Sequence, residues 1–99
     1  MADTLDDTAV AERLRDLPAW TRDGDRIRRR VKAPSFMAGI DVVNDVARAA
    51  EDADHHPDID IRWRTLTFSL TTYSAGGLTA KDFDLAATID RIAARHGVG

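Results

Sequence analysis

The stretch Ile59–Leu70, IDIRWRTLTFSL, decides the fold because apolar side chains alternate along it with polar ones. Side chains of a β-strand point alternately to the two faces of a sheet, so a period of two predicts strands with one buried face. The apolar positions are Ile59, Ile61, Trp63, Leu66, Phe68 and Leu70. Only a few residues can connect these two strands, so they are predicted to pair antiparallel.

A second pair of strands is predicted upstream. Ala19–Arg22 and Arg26–Lys32 flank Asp23-Gly24-Asp25, a sequence typical of a β-hairpin turn. The basic residues of the second strand alternate with Ile27 and Val31. A solvated strand face explains this basic run more simply than phosphate binding does.

One helix is predicted before each of the two pairs of strands. The first begins at Asp6, whose carboxylate can accept from the first free backbone N–H groups, and it ends before Pro18. The second begins after the N-cap Ser35 and extends to about Ala53. Its predicted buried stripe has spacings of three and four residues and consists of Phe36, Ile40, Val43, Ala47 and Ala50.

A third helix is predicted after the glycine-containing turn Ser74–Gly77. Thr79 and Asp82 have the spacing of a capping box, and the helix extends to Gly97. The element order is therefore αββαββα. It predicts one α+β domain over residues 1–99, a two-layer sandwich in which three helices cover one face of a four-stranded antiparallel sheet.

The composition limits the function classes. The chain has 99 residues and a net charge of −3, which favours neither a nucleic-acid nor a membrane partner. It contains no cysteine, which excludes disulfides and thiolate chemistry and fits a reducing compartment. We therefore expect a cytoplasmic protein.

Two adjacent histidines are the candidate chemical groups. His55 and His56 stand before Pro57 and just after the predicted end of the second helix. Imidazoles gain and lose protons near neutral pH, so the pair could supply an acid and a base. The alternative is a solvated loop in which one histidine caps the helix, and spacing alone favours this loop. No metal site is predicted, because adjacent histidines diverge on most backbones and no further ligand cluster follows.

The combined motif resembles the pterin-4a-carbinolamine dehydratases. The resemblance rests on three features of the sequence. They are Glu51 with His55-His56-Pro57 after three intervening residues, the aromatic Trp63, and the segment Leu70–Asp82. In that family, two adjacent histidines and a third histidine line the pterin pocket. The third position is Tyr73 here, which is a departure from the family pattern.

The resemblance implies a reaction and roles for individual residues. Water leaves C4a of a 4a-hydroxytetrahydropterin, which yields a quinonoid dihydropterin without any metal or redox cofactor. His55 is then the leading acid/base, His56 orients the pterin or shares the proton, and Tyr73 hydrogen-bonds the substrate. Glu51 sets the protonation of His55. The substrate-binding set is Glu51, Pro57, Trp63, Thr72 and Ser74.

The partner implied by the resemblance is a small-molecule pterin, with assembly into a homodimer or homotetramer. An apolar second helix and the free edges of the sheet are compatible with such assembly. The alternative is a catalytically weakened pterin-binding or protein-interaction module of the same fold, similar to a transcriptional coactivator. The tyrosine at position 73 favours that alternative.

Overall fold

A computed structural model describes residues 3–98 and confirms the predicted element order. The helices are α1 (Asp7–Leu14), α2 (Phe36–Ala53) and α3 (Ala80–Arg95). The strands are β1 (Thr21–Asp23), β2 (Arg26–Lys32), β3 (Asp58–Arg62) and β4 (Thr65–Leu70). A short 3-10 turn, Tyr73–Ala75, lies between β4 and α3. Within the described part of the chain, no helix has both the length and the apolar character that a bilayer span requires.

The four strands form one antiparallel sheet in the order β1-β2-β4-β3. The alternation read from the sequence sets which face is buried, since Leu66, Phe68 and Leu70 on β4 are completely covered. Ile27 and Val31 on β2 point to the same face. Burying each such side chain contributes roughly 1.5–3 kcal/mol, so this inner face and the helices over it hold the fold together.

The buried stripe predicted for α2 is wrong in part. The buried residues are Gly39, Val42, Val46 and Ala50, so only Ala50 of the predicted set is fully covered. Apolar residues occur on two adjoining faces of this helix, and the sheet covers only one of them. Phe36 and Met37 are therefore exposed at the start of the helix.

Strand β3 is shorter than the sequence predicts. It ends at Arg62, which pairs with Thr65, so Trp63 and Arg64 form a two-residue turn. Trp63 has φ +53°, a left-handed conformation that is costly for a bulky residue. Its side chain is 71% exposed, so Trp63 is not part of the core, and a role at an interface stays a prediction.

Trp20 is buried in the core and also makes a polar contact there. Its indole nitrogen donates to the Asp90 carboxylate over 2.8 Å. The same carboxylate accepts from Arg29 over 2.5 Å. Arg29 differs from the other arginines of β2 because it is buried. It points towards the helices, where Asp90 compensates its charge.

A second ion pair joins the last two helices. His96 caps the C-terminal end of α3 and contacts the Asp45 carboxylate on α2 over 2.6 Å. The hydrogen bond from His96 is the main cause that lowers the pKa of Asp45 below its ordinary value of 3.8. This contact holds the C-terminal end of α3 against α2.

Asp45→Asn tests this link through the pH dependence of stability. A carboxyl with a lowered pKa in the folded state stabilises above its unfolded pKa, and this contribution is lost as pH falls through the folded pKa. We expect the variant to melt below the wild type at about pH 6, and the difference to shrink below about pH 4. Circular dichroism melts across this range measure it.

Asp41→Asn is the matched control, since Asp41 is exposed on the same helix and forms no ion pair among residues 3–98. It should lower the melting temperature little at any pH. A deficit of Asp45→Asn that stays constant from pH 6 to 3, roughly, would contradict the assigned ion pair.

Candidate functional site

The chain reverses at the end of α2, so that His55 is buried and His56 is exposed. Asp54 adopts a left-handed conformation with φ 49°, a conformation that aspartate tolerates better than most residues. The backbone N–H of His55 then donates back to the Ala50 carbonyl over 3.1 Å. This reversal turns His55 inward beneath the helix end and leaves His56 exposed.

His55 is 8% exposed and is bound to a carboxylate that is distant in sequence. Its Nε2 lies 2.6 Å from Oδ1 of Asp82, which has no exposed surface. An ionised carboxylate only accepts, so Nε2 carries the proton and donates it. The contact therefore fixes the ring orientation and the tautomer of His55, as the aspartate does in a serine-protease triad.

Asp82 is the centre of a buried hydrogen-bond network. Its second oxygen accepts from the backbone N–H of Thr79 over 2.9 Å, which completes the predicted capping box. The same oxygen accepts from the Thr72 hydroxyl over 2.8 Å. Thr72 and Thr79 also hydrogen-bond each other over 2.8 Å. Asp82 thus holds the start of α3, the segment after β4, and His55.

The other ring nitrogen of His55 reaches the surface. Nδ1 has no hydrogen-bond partner among residues 3–98, yet it is not one of their buried unpaired atoms, which are Nε of Arg29 and of Arg64. His55 also lines a cleft of about 210 Å³ between α2 and α3, with Ala53, Lys81 and Leu85. Because Nε2 carries the proton of the neutral ring, Nδ1 is unprotonated and can accept a hydrogen bond or a proton from a small molecule.

His56 forms a second, exposed imidazole–carboxylate pair. Its Nε2 lies 2.5 Å from Glu51, and both side chains are more than half exposed. The expectation that Glu51 acts on His55 is therefore wrong, because the carboxylate of Glu51 contacts His56 and the carboxylate that contacts His55 is Asp82, in the position that was expected for Glu51.

Tyr73 binds the corner that follows the histidines. Its hydroxyl donates to Asp58 over 3.1 Å and accepts from Arg26 over 2.6 Å. Arg26 also donates to Asp58 over 2.8 Å. The hydrogen bond from Arg26, assisted by that from Tyr73, lowers the pKa of Asp58, while burial opposes the shift. Tyr73 thus approaches the site through Asp58, two residues after His56, and its hydroxyl bonds to neither histidine.

The remaining predicted substrate-binding residues are not equally placed. Pro57 is half-buried beside the histidines, and Thr72 enters the site through Asp82. Ser74 is exposed in the 3-10 turn. Trp63 lies at the opposite end of β3, about 16 Å along the strand, and its ring stacks on Arg64 instead. The structure therefore does not bring Trp63 to the histidines of the same chain.

Sequence reasoning missed three polar residues of this region. Asp82 was explained by its cap alone, and Arg26 and Asp58 were taken for a solvated strand face and a loop. Asp82 also matches a position of the family motif, but the cap role was taken to account for it fully, and a cap aspartate does not need to be buried. No group of three or more potential metal ligands occurs among residues 3–98.

The comparison with protein families decides the relationship. The family described as pterin 4 alpha carbinolamine dehydratase matches residues 3–92. The chain belongs to this family. Provisionally named pterin-4-alpha-carbinolamine dehydratases are 62% identical in Nocardia farcinica, over 90% of this chain and 94% of the relative, and 59% identical in Roseiflexus castenholzii, over 93% and 99%.

Solved structures agree with the fold. A crystal structure described as a transcriptional coactivator/pterin dehydratase from Brucella melitensis has a TM-score of 0.89 and 28% identity. The match covers 92% of this chain and 99% of that one. A pterin dehydratase-like protein described as a RuBisCO assembly factor of the alpha-carboxysome has a TM-score of 0.62, with 75% and 86% coverage. At 17% identity it shows the fold alone.

A double-mutant cycle of Asp82→Ala and His55→Ala tests the buried pair. We expect Asp82→Ala to lower the free energy of unfolding by about 3 kcal/mol, because three buried donors lose their acceptor. The two substitutions should be non-additive by about 1 kcal/mol or more, since they remove one shared contact. Urea unfolding measures each variant.

Asp84→Ala is the control on the same helix, because Asp84 is exposed. It should change the free energy of unfolding by less than about 0.5 kcal/mol. Additive effects of Asp82→Ala and His55→Ala would reduce Asp82 to a helix cap and remove the basis for the site.

Proposed function

We propose that this family member dehydrates a 4a-hydroxytetrahydropterin to the quinonoid dihydropterin, and so takes part in the recycling of tetrahydrobiopterin. The observation that carries the proposal is the Asp82–His55 pair, in which a carboxylate without exposed surface holds one imidazole nitrogen and leaves the other open. The family match and relatives such as the Nocardia farcinica protein support the substrate class.

The reaction requires one proton to be donated to the substrate and one to be removed from it, so the net number of protons does not change. The bond between C4a and the hydroxyl oxygen breaks, and the oxygen takes up a proton to leave as water. A ring N–H loses its proton, and its electron pair forms the new double bond to C4a. One protonated and one neutral imidazole supply both transfers, each by general acid–base catalysis worth about 10²–10⁴ in rate.

His55 is the leading acid/base in this proposal, acting through Nδ1. Asp82 is a positioning residue, because it touches His55 and lies out of reach of solvent. His56 stands on the exposed side with Glu51 and provides the second proton or orients the pterin. The 210 Å³ cleft is smaller than the roughly 300–1,000 Å³ of enclosed ligand pockets, so the substrate binds at an open corner.

The second candidate is a pterin-binding or protein-interaction module without effective catalysis. It is favoured by Tyr73, which stands at the third histidine position of the family motif and whose hydroxyl is already bound to Asp58 and Arg26. A tyrosine hydroxyl, with an ordinary pKa of about 10, is a poor proton carrier near neutral pH. The Brucella melitensis neighbour is itself described as a coactivator as well as a dehydratase.

His55→Gln tests the catalytic assignment. The amide nitrogen of glutamine can occupy the position of Nε2 and keep the hydrogen bond to Asp82, but it cannot transfer protons. We expect kcat/KM on synthetic 4a-hydroxytetrahydropterin to fall about 100-fold while the melting temperature stays near that of the wild type. The rate is measured above the uncatalysed background.

Two outcomes would contradict the proposal in different ways. Wild-type turnover in His55→Gln would remove His55 from the chemistry. A wild type that binds the product pterin but does not exceed the background rate would favour the binding module.

Tyr73→His tests the departure from the family motif. An imidazole at this corner restores a group that carries protons near neutral pH, so we expect kcat to rise about threefold or more. Tyr73→Phe is the control, since it keeps the ring without a titratable group and should not raise kcat. An unchanged kcat in Tyr73→His would place position 73 outside the pocket.

We also propose that the chain assembles into a homodimer or homotetramer through its β3–α2 apolar surface, formed by Phe36, Met37, Ile40, Ile61 and Trp63. Ile61 on edge strand β3 is the register partner of Leu66, and Gly39 of α2 packs over Leu66. Ile61 and Gly39 thus both lie beside Leu66. Adjacent exposed apolar side chains beside a free strand edge are typical of subunit interfaces.

Met37→Glu tests this interface, because Met37 is 64% exposed and a charge there costs little in the monomer. Light scattering coupled to size exclusion should give a dimer or tetramer for the wild type and a monomer for the variant. Ala11→Glu on the exposed side of α1 is the control and should leave the mass unchanged. A monomeric wild type at micromolar concentration would refute the interface.

A further inference from the structure

The face of the sheet opposite the helices carries a basic groove that adjoins the candidate site at Arg26 and Asp58 and extends away from it along β2 and β4. Three rows of side chains, from β2, β4 and β3, line this groove together with Ala19 and with Thr21 of β1, and its volume is about 940 Å³. Strand β2 contributes Arg26, Arg28 and Arg30, and the neighbouring strand β4 contributes Thr65, Thr67 and Ser69. The third row, on β3, is mixed in charge. We call this surface the outer sheet face.

The arginines of the outer sheet face are only partly neutralised. Arg26 is paired with Asp58, and Arg28 is paired with Asp23 over 2.8 Å. Arg30 has neither an ion pair nor a side-chain hydrogen bond among residues 3–98. The chain as a whole carries a net charge of −3, so this positive row is a local feature. The positive charge of this arginine row can attract an anionic partner.

The spacing of the row indicates the kind of anion. Alternate residues of a strand lie about 6.6 Å apart, and alternate residues of an extended peptide have the same spacing. A peptide with an acidic residue at every second position can therefore set its carboxylates over Arg28 and Arg30 in register. The hydroxyls of Thr67 and Ser69 on the next strand can donate to its carbonyl oxygens.

Single-stranded nucleic acid fits this groove less well. Proteins that bind single strands stack the bases on aromatic side chains, and no aromatic residue lines the groove within residues 3–98. We propose that the outer sheet face binds an extended acidic segment of a partner protein, with acidic residues alternating along it. The two arginines on which it depends, Arg28 and Arg30, are not among the residues assigned to the pterin reaction.

Fluorescence polarisation with the full chain tests the proposal. The probe is a fluorescein-labelled peptide of about ten residues in which glutamate and serine alternate. We expect Arg30→Gln to weaken binding about fivefold and Arg28→Gln with Arg30→Gln to weaken it at least about tenfold. Arg15→Gln makes the same charge change after α1, on the helix side, and should alter affinity less than about twofold.

Two further probes separate the alternatives. A peptide of equal composition with glutamates in adjacent pairs should bind more weakly, because its carboxylates lose the register with the arginines. Absence of binding, or equal losses in Arg15→Gln and Arg30→Gln, would overturn the proposal. Tighter binding of oligothymidylate that Arg30→Gln abolishes would also overturn it, in favour of a nucleic-acid surface. Unchanged melting of Arg30→Gln excludes unfolding as the cause of a loss.

Discussion

The carboxylate of Asp82 is the contact on which the rest of the site depends. It has no exposed surface and accepts hydrogen bonds from His55, Thr72 and the backbone of Thr79. Burying a carboxylate is costly unless its oxygens accept hydrogen bonds. The carboxylate therefore holds these three donors in fixed positions relative to one another. The start of α3, the end of the sheet and the candidate acid/base are thereby fixed together.

The second constraint is the left-handed residue at the end of α2. Asp54 reverses the chain so that adjacent histidines have different environments, His55 buried on Asp82 and His56 exposed on Glu51. The two imidazoles therefore differ in exposure and in the carboxylate that each one contacts.

The sequence predicted the layers of the fold because periodicity and capping are local. The alternation in Ile59–Leu70 and the caps at Asp6, Ser35 and Thr79 were sufficient for the element order. It could not predict which of two apolar faces of α2 is covered, since that depends on packing. The partner of His55 was missed for the same reason, because Asp82 is 27 residues away and its cap role already explained it.

The protonation of His55 tests the central claim most directly. Nitrogen-15 chemical shifts of its imidazole distinguish a protonated from an unprotonated ring nitrogen. In the neutral form the account predicts a proton on Nε2, held by Asp82, and a bare Nδ1 open to substrate. A neutral His55 with its proton on Nδ1 would contradict it, because Asp82 would then neither orient the ring nor leave the reactive nitrogen free.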